Sequence, residues 1–242
     1  MVVPFPPPGH KEDSPKRVRV LFGGQIIADS KAPKLVWEHS YYPHYYLPKA
    51  DVTAKYLQNA KQVDNHTVYD LVVGDTIAEE AVAVHTDGDL SGLAKIAFDK
   101  AEAWFEEDER IYVHPKDPYK RIEILQSSRH VRVEVDGVEV ANTTKPRLLF
   151  ETGLPTRTYI PITDTRLDLL VPSDKTSSCP YKGTASYYDI DLPSGLKDGL
   201  VWWYKTPTLE SAEIKGFVAF YDEKVDVWVD GVKVPRPESI FG

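Results

Sequence analysis

Apolar and polar side chains alternate with a period of two along most of this chain. RVRVLF, TVYDLVV, LVWWYK, FVAFYD and VDVWVDGVKV share the theme and are rich in β-branched and aromatic residues. That period with that composition predicts half-buried strands. HVRVEVDGVEVAN alternates on both sides of a glycine turn, the signature of a hairpin. Prolines punctuate these runs rather than interrupt them. Residues 91–109 and 209–216 depart from the pattern, and each is expected to hold a short helix. The expected class is mainly β.

Shifting the chain by 113 positions lays residues 18–51 on 131–164 without a gap, and 11 of the 34 positions are identical. The identities include Val18/Val131, Gly24/Gly137, Ala28/Ala141, Glu38/Glu151, Tyr46/Tyr159, Pro48/Pro161 and Asp51/Asp164. With small gaps the match continues: Tyr69-Asp70-Leu71 faces Tyr188-Asp189-Ile190, Ile96-Ala97-Phe98 faces Val218-Ala219-Phe220, and Trp104 faces Trp228. Self-similarity at a fixed period marks a repeat. The expected organisation is a Pro-rich tail over 1–16, a first repeat domain over 17–126 and a second over 127–242, each near the commonest domain size.

Composition narrows the function classes. Lys and Arg number 29 against 37 Asp and Glu, a net charge of −8, which argues against a general grip on nucleic acid or an anionic membrane. No segment approaches the roughly 18–20 apolar residues of a membrane span. The opening MVVPFPPPGHKEDSPK has no apolar core of a secretory signal, and Cys179, the one cysteine, leaves no internal disulfide. A reducing cytoplasm is therefore the expected location. A four-cysteine zinc site is unavailable, the seven histidines lack metal-ligand spacing, and no metal or cofactor is expected. GxxxxGK[ST], GxGxxG, GxSxG and HExxH are all missing.

Four constellations carry candidate chemistry. Glu-x(7)-Tyr-x-Pro occurs twice, as Glu38 with Tyr46 and Glu151 with Tyr159. A carboxylate and a phenol at matched places can hold a polar ligand or act as acid and base; equally, the Glu caps a turn while Tyr and Pro pack the domain. Between them the copies diverge, His39, Tyr41, Tyr42, His44 and Tyr45 standing against Thr152, Leu154, Pro155, Arg157 and Thr158. The second copy alone has Ser177-Ser178-Cys179-Pro180-Tyr181-Lys182-Gly183, a shaped loop in which Pro fixes one φ and Gly frees another. Cys179 beside Lys182 is an arrangement that activates a thiol, against the plainer reading of a small buried hydrophobe. His114, Asp117 and Arg121 make a polar cluster on a proline-rich loop, as suited to bracing as to an oriented base. Trp202, Trp203 and Tyr204, followed by Lys215 and Tyr221, put one aromatic face toward a core and leave the other to line a pocket. Stacking on single-stranded nucleic acid is the competing use of such a face, and the acidic balance opposes it.

These motifs resemble the family catalogued as domain of unknown function 427, sometimes labelled a nucleotidyltransferase, a label that no phosphate-binding motif here supports. The matching segments are VRVEVDGVEVANTTKPRLLFETGLPTRTYIP, DLLVPSDKTSSCPYKGTASYYDI, LVWWYKTPTLESAEIKGFVAFYDEKVDVWVDG and, in the first copy, AWFEEDERIYVHPKDPYKRIEIL; CPYKGTA is the most specific. The resemblance implies two tandem β-tent-like (Mss4-like) domains, similar also to the B-type methionine sulfoxide reductases. Relatives of that fold hold zinc with two CxxC pairs, and a chain with one cysteine does not inherit it. It also implies a site at Glu151, Tyr159, Cys179, Tyr181, Lys182, Gly183, Trp203, Tyr204, Lys215 and Tyr221, of which the first copy keeps only Glu38 and Tyr46. The expected function is binding or transforming a small polar molecule in a pocket of the second domain. The candidate catalytic residues are Glu151, Tyr159, Lys182 and Cys179; Glu38, Tyr46, His114, Arg157, Tyr181, Gly183, Trp203, Tyr204, Lys215 and Tyr221 are the candidate ligand contacts. The alternatives are a non-catalytic ligand- or protein-binding module and, less favoured, thiol-redox chemistry at Cys179. The oligomeric state is open.

Overall fold

The computed structural model describes residues 5–239. The chain divides into two compact units, one ending at Asp117 and the other beginning at Pro118. In the first unit the strands are β1 (Lys11–Asp13), β2 (Val18–Phe22), β3 (Gln25–Ser30), β4 (Lys34–Val36), β5 (His44–Pro48) and β6 (Leu57–Val63). They continue with β7 (His66–Val73), β8 (Thr76–His85), β9 (Leu93–Ile96), β10 (Ala103–Glu106) and β11 (Glu109–Ile111). The second unit has β12 (Ile122–Gln126), β13 (Val131–Val135), β14 (Val138–Thr143), β15 (Arg147–Glu151), β16 (Arg157–Pro161) and β17 (Leu170–Cys179). Its remaining strands are β18 (Gly183–Leu192), β19 (Gly195–Tyr204), β20 (Phe217–Phe220), β21 (Asp226–Val229) and β22 (Val232–Val234).

Among the described residues each unit is a seven-stranded sheet with a four-stranded one. The large sheets run β1-β4-β5-β9-β8-β7-β6 and β12-β15-β16-β20-β19-β18-β17; the small ones run β11-β10-β2-β3 and β14-β13-β21-β22. The protein is mainly β and is built of two tandem domains of matching topology. Strand alternation sends Val18 and Val20 into one core and Val131 and Val133 into the other, with the residues between them outside.

The pairing explains many of the repeated identities. Ala28 bridges to Val52 and Ala141 to Thr165. Beside each bridge a hydroxyl donates to the conserved aspartate at 2.6 Å, Ser30 to Asp51 and Thr143 to Asp164. Asp70 accepts the backbone N–H of Glu80 at 2.7 Å, and Asp189 that of Gly199 at 2.6 Å. Glu80 and Gly199 both have positive φ, so each aspartate secures a bulge in the long hairpins. The identical turn glycines, Gly24 and Gly137, sit at φ 70° and 79°, as tight hairpin turns require.

Several expectations are corrected. Residues 1–4 of the expected tail, with 240–242 at the other end, lie outside the described residues, but Lys11–Asp13 is an edge strand paired with β4. Its counterpart is β12, paired with β15 at the same offset of 113, Glu12 facing Leu35 and Leu125 facing Leu148. The second unit therefore takes in 118–126, although the expected boundary places these residues in the first. An edge strand draws on main-chain hydrogen bonds, so KED and ILQ do the same job without resembling each other. Segment 91–109 holds β9, a 3₁₀ turn at Phe98–Lys100 and β10 rather than a helix; pairing and burial of Ala94, Ile96, Ala103 and Trp104 override its helix-like composition. Segment 209–216 carries a 3₁₀ helix at Leu209–Ile214.

Register also shifts two of the gapped matches. Leu47 pairs with Ala94 and Ile160 with Val218, so Ala94, not Ile96, corresponds to Val218. Trp104 pairs with Val20 whereas Arg132 pairs with Trp228, which makes Phe105 the counterpart of Trp228. Arg19 lies over Phe105 at 5.6 Å and Arg132 over Trp228 at 4.3 Å, repeating one cation–π contact in both copies.

Candidate functional site

On the face of the second unit's large sheet away from the main core, alternation brings together Tyr159 from β16, Trp202 and Tyr204 from β19, and Ala185 and Tyr187 from β18. Glu151 ends β15 on the same face. The β17–β18 hairpin carries Tyr181 and Lys182 over it, and the Lys182 ammonium is hydrogen-bonded to Glu151. Lys120 reaches the other carboxylate oxygen at 3.5 Å and lies 5.6 Å over the Tyr181 ring. The loop is pinned to the start of the 3₁₀ helix: the Tyr181 carbonyl accepts from the hydroxyls of Thr208 and Ser211, and the Lys182 carbonyl from the Thr208 N–H. Gly183 has φ +99°, and an added Cβ would stand 3.2 Å from the Thr206 carbonyl oxygen, so the close approach needs glycine.

Electrostatics keeps the Tyr159 phenol and the Lys182 ammonium protonated. Burial pushes the Tyr159 phenol up to about 12, against the pull of Lys182 and of the Trp202 N–H that it accepts at 3.1 Å. Burial drags the Lys182 ammonium down, but Cys179, Glu151 and Tyr159 outweigh it and the net displacement is upward. Tyr204 is raised chiefly by burial. Around Trp202 stand Tyr221, with ring centroids 4.7 Å apart, and the Arg157 guanidinium at 5.6 Å. Lys175, exposed on β17, lies 4.5 Å over Tyr187 and 5.7 Å over Tyr221. Arg157 is gripped by both oxygens of Glu223, at 2.8 and 2.5 Å, and approaches Asp222 at 3.6 Å. Arg157 and Ser239 hold the Glu223 carboxyl down at about 2 against the upward push of burial, while burial lifts Asp222 to about 7.

The structure gathers Glu151, Tyr159, Tyr181, Lys182, Gly183, Tyr204, Tyr221 and Arg157 here, with half-buried Cys179 at the end of β17. It does not gather Trp203 or Lys215. Trp203 points to the opposite face, stacked on Tyr188 at 5.8 Å within the core, and Lys215 is exposed past the 3₁₀ helix. Residues the motifs did not single out complete the face, Lys120, Lys175, Tyr187 and Glu223, with Asp222 at its border beside Arg157.

The first unit answers with the same anchors and different surroundings. Tyr46 donates to Glu38 at 3.0 Å, and Lys95, paired with Tyr46 in the sheet, reaches the same carboxylate at 2.5 Å. Burial raises Glu38, but Lys95, His44 and Tyr46 bring its pKa below the usual value. Burial, with Lys95, His39 and His114 nearby, presses His44 down to about 4 against the pull of Glu38. His114 stacks on Tyr42 at 3.7 Å, His39 lies 5.5 Å from His44, and His85 lies 5.6 Å from both Tyr46 and His66. Histidines dispersed in the sequence are thus brought beside the Glu38–Tyr46 pair, His39 and His114 from loops next to His44 and Tyr42, and His66 with His85 across the β7–β8 pairing next to Tyr46. Asp117 instead accepts the Trp37 indole N–H at 3.1 Å. Among the described residues no set of three His, Cys, Asp or Glu side chains is placed to hold a metal ion, and no helix is long and apolar enough to cross a membrane.

One family model matches the chain twice, over residues 10–99 and 123–231, and its description is a domain of unknown function, DUF427. Both matches begin at or within a residue of the edge strands β1 and β12. No curated protein matches the chain.

Proposed function

The chain belongs to the DUF427 family as a tandem pair, and on that premise we propose that its second unit binds a small polar molecule on the aromatic face beside the Glu151–Lys182 pair, without proton-transfer chemistry. The observation that carries this reading is the closure of Glu151 by two lysines above a phenol held protonated. A general acid or base works best with a pKa near the operating pH, and Tyr159 and Lys182 are displaced the other way. Rings suited to holding a ligand remain, Tyr221 at the surface with Tyr187 and Trp202 buried beneath, and the exposed Lys175 that rests on Tyr187 and Tyr221 is a cation that a ligand can displace to reach them. A reducing compartment and no nucleic-acid partner belong to the same reading, from the single cysteine and the charge of −8.

The test is saturation-transfer NMR on the full chain with a panel of small amines, amides and carboxylates. The expected result is saturable binding of one class, lost in Tyr187→Ala, unchanged in Cys179→Ser, with the compound recovered intact. Conversion of the bound compound to a product, or binding indifferent to Tyr187→Ala and Lys175→Ala alike, overturns the reading. Conversion abolished by Cys179→Ser favours the thiol chemistry instead.

A further inference from the structure

A groove of about 370 Å³ opens between the two sheets of the second unit, lined mostly by apolar side chains. Its walls include Leu148, Phe150, Val227 and Val229, with Thr158 and Asp222 among the polar ones. The first unit has no need of such a space, because large rings fill the matching positions. By register Phe150 corresponds to Trp37, Thr158 to Tyr45 and Val227 to Trp104. Asp222 corresponds to Phe98, two residues beyond the paired Ile96 and Phe220. In the first unit Tyr45 and Phe98 both stack on Trp104, at 6.5 and 5.3 Å, and Trp37 is 0% exposed. In the second, Phe150 is 39% exposed. Four substitutions on one scaffold have replaced a packed aromatic stack with an open apolar slot that has a carboxylate in its wall.

That carboxylate is poorly matched by its own protein. The charged groups facing Asp222 are Arg157 from β16, the neighbouring Glu223, and Arg129 on the groove wall. Arg157 is the one ionic contact of Asp222 among the described residues, at 3.6 Å, and its two terminal nitrogens both donate to Glu223 at shorter range. Arg129 is exposed. A carboxylate in an apolar wall without full hydrogen bonding is costly to keep ionised, in line with its upward displacement to about 7. A donor supplied by a ligand relieves that cost; an anionic ligand adds to it.

We infer that this groove is a second binding site, for a small amphipathic amine whose apolar chain lies along Leu148, Phe150, Val227 and Val229 and whose ammonium meets the Asp222 carboxylate. The volume is within the range of small-molecule pockets and suits a chain of about six carbons. Leu148 and Thr158 alternate with Leu149 and Tyr159, so the groove lies on the opposite side of the large sheet from the aromatic face and meets it at the Arg157–Asp222 contact; Val229→Trp, away from that contact, tests the groove alone.

The probe is n-hexylamine, titrated calorimetrically into the full chain at pH 8, with 1-hexanol and hexanoate as controls. Saturable binding of hexylamine is expected, at least tenfold tighter than hexanol, with hexanoate weakest. Asp222→Asn is expected to bring hexylamine down to the level of hexanol, and Val229→Trp, which fills the slot, to abolish both while leaving binding at the aromatic face intact. If Asp222→Asn does not fold, the wild-type pH series decides: hexylamine affinity climbs between pH 6 and 8 while hexanol stays flat. No saturable hexylamine binding, a preference for hexanoate, or equal hexylamine affinity in Asp222→Asn or across that pH range overturns the inference.

Discussion

In the first unit the carboxylate of the Glu–Tyr pair is closed by Lys95, from the strand beside Tyr46; in the second, Ala219 occupies that register and Lys182 arrives from a hairpin instead. The hairpin can deliver it because β17 and β18 pair two steps further than β6 and β7, through Ser178–Thr184 and Cys179–Gly183. What the two copies keep is a compensated carboxylate on the outer face, not the residue that compensates it. Moving the cation from the sheet to a loop frees the sheet for large rings, so one face carries imidazoles and the other Tyr187, Trp202 and Tyr204. On the inner side the exchange runs in reverse: rings fill the first unit and leave the second open. Duplication has let two faces of one fold trade places in bulk.

The sharpest way to break that contrast is to remove the ring at the shared position. Trp37→Ala takes out a fully buried indole and one hydrogen bond to the Asp117 carboxylate, and it is expected to destabilise the first unit by about 4 kcal/mol. Phe150→Ala trims a partly exposed ring on an open groove, and about 1 kcal/mol is expected from the second. Urea unfolding of the full chain, read against wild type, separates the two. Similar losses would mean that the groove is as tightly packed as the stack.

Legibility in the sequence followed the physics of each element. Alternation and the 113-residue offset made the strands, the tandem organisation and the Glu–Tyr anchors readable, because side chains facing a core must repeat when the fold repeats. The edge strands Lys11–Asp13 and Ile122–Gln126 were hidden, since backbone pairing imposes no pattern on KED or ILQ. Lys95 was hidden for a different reason. It replaces Lys182 from another strand, and an alignment of copies has no column in which the two meet. The His66–His85 contact needed β7 and β8 brought into register before the two could be neighbours. Asp222 was obscured by the two-residue slip at Ile96, which kept Phe98 from being set against it. Trp203 shows the converse: the motif drew it into the site, although strand alternation already set it opposite Trp202.

A second way to sharpen the comparison is to neutralise each conserved glutamate. The Glu151 and Lys182 side chains are 6% and 13% exposed, whereas Glu38 and Lys95 are 35% and 30% exposed. Glu151→Gln removes the carboxylate charge that Lys182 and Lys120 both face in a buried site, and a loss of about 3 kcal/mol is expected. Glu38→Gln keeps the Tyr46 hydrogen bond and abandons a half-solvated pair, so about 1 kcal/mol is expected. Thermal unfolding of the two variants side by side measures the gap. Equal losses would show that the hairpin cation is no better shielded than the strand cation.

The smallest effect distinguishes the units by sign rather than size. His44 is held down at about 4 in the folded first unit and returns to about 6.5 when unfolded. A depressed pKa contributes stability that is present above the unfolded value and is lost as pH falls through the folded one, so the first unit weakens from pH 6.5 toward 4. Asp222 is lifted to about 7 in the folded second unit and returns to about 3.9 when unfolded. A raised pKa contributes stability that is full below the unfolded value and is lost as pH rises through the folded one, so from this group the second unit strengthens over the same descent. Glu223, held at about 2, begins to oppose that gain only below about pH 4.3, its unfolded value. Each change is on the order of 2 kcal/mol across that range. Hydrogen exchange followed residue by residue between pH 7 and 4.5 reads both units in one sample. Protection is expected to fall at Leu47 and Val82 and to rise at Ile160 and Val201. His44→Phe is expected to flatten the first trend alone, and Asp222→Asn the second alone. Parallel trends in the two cores would mean that these groups do not set the acid response of their units.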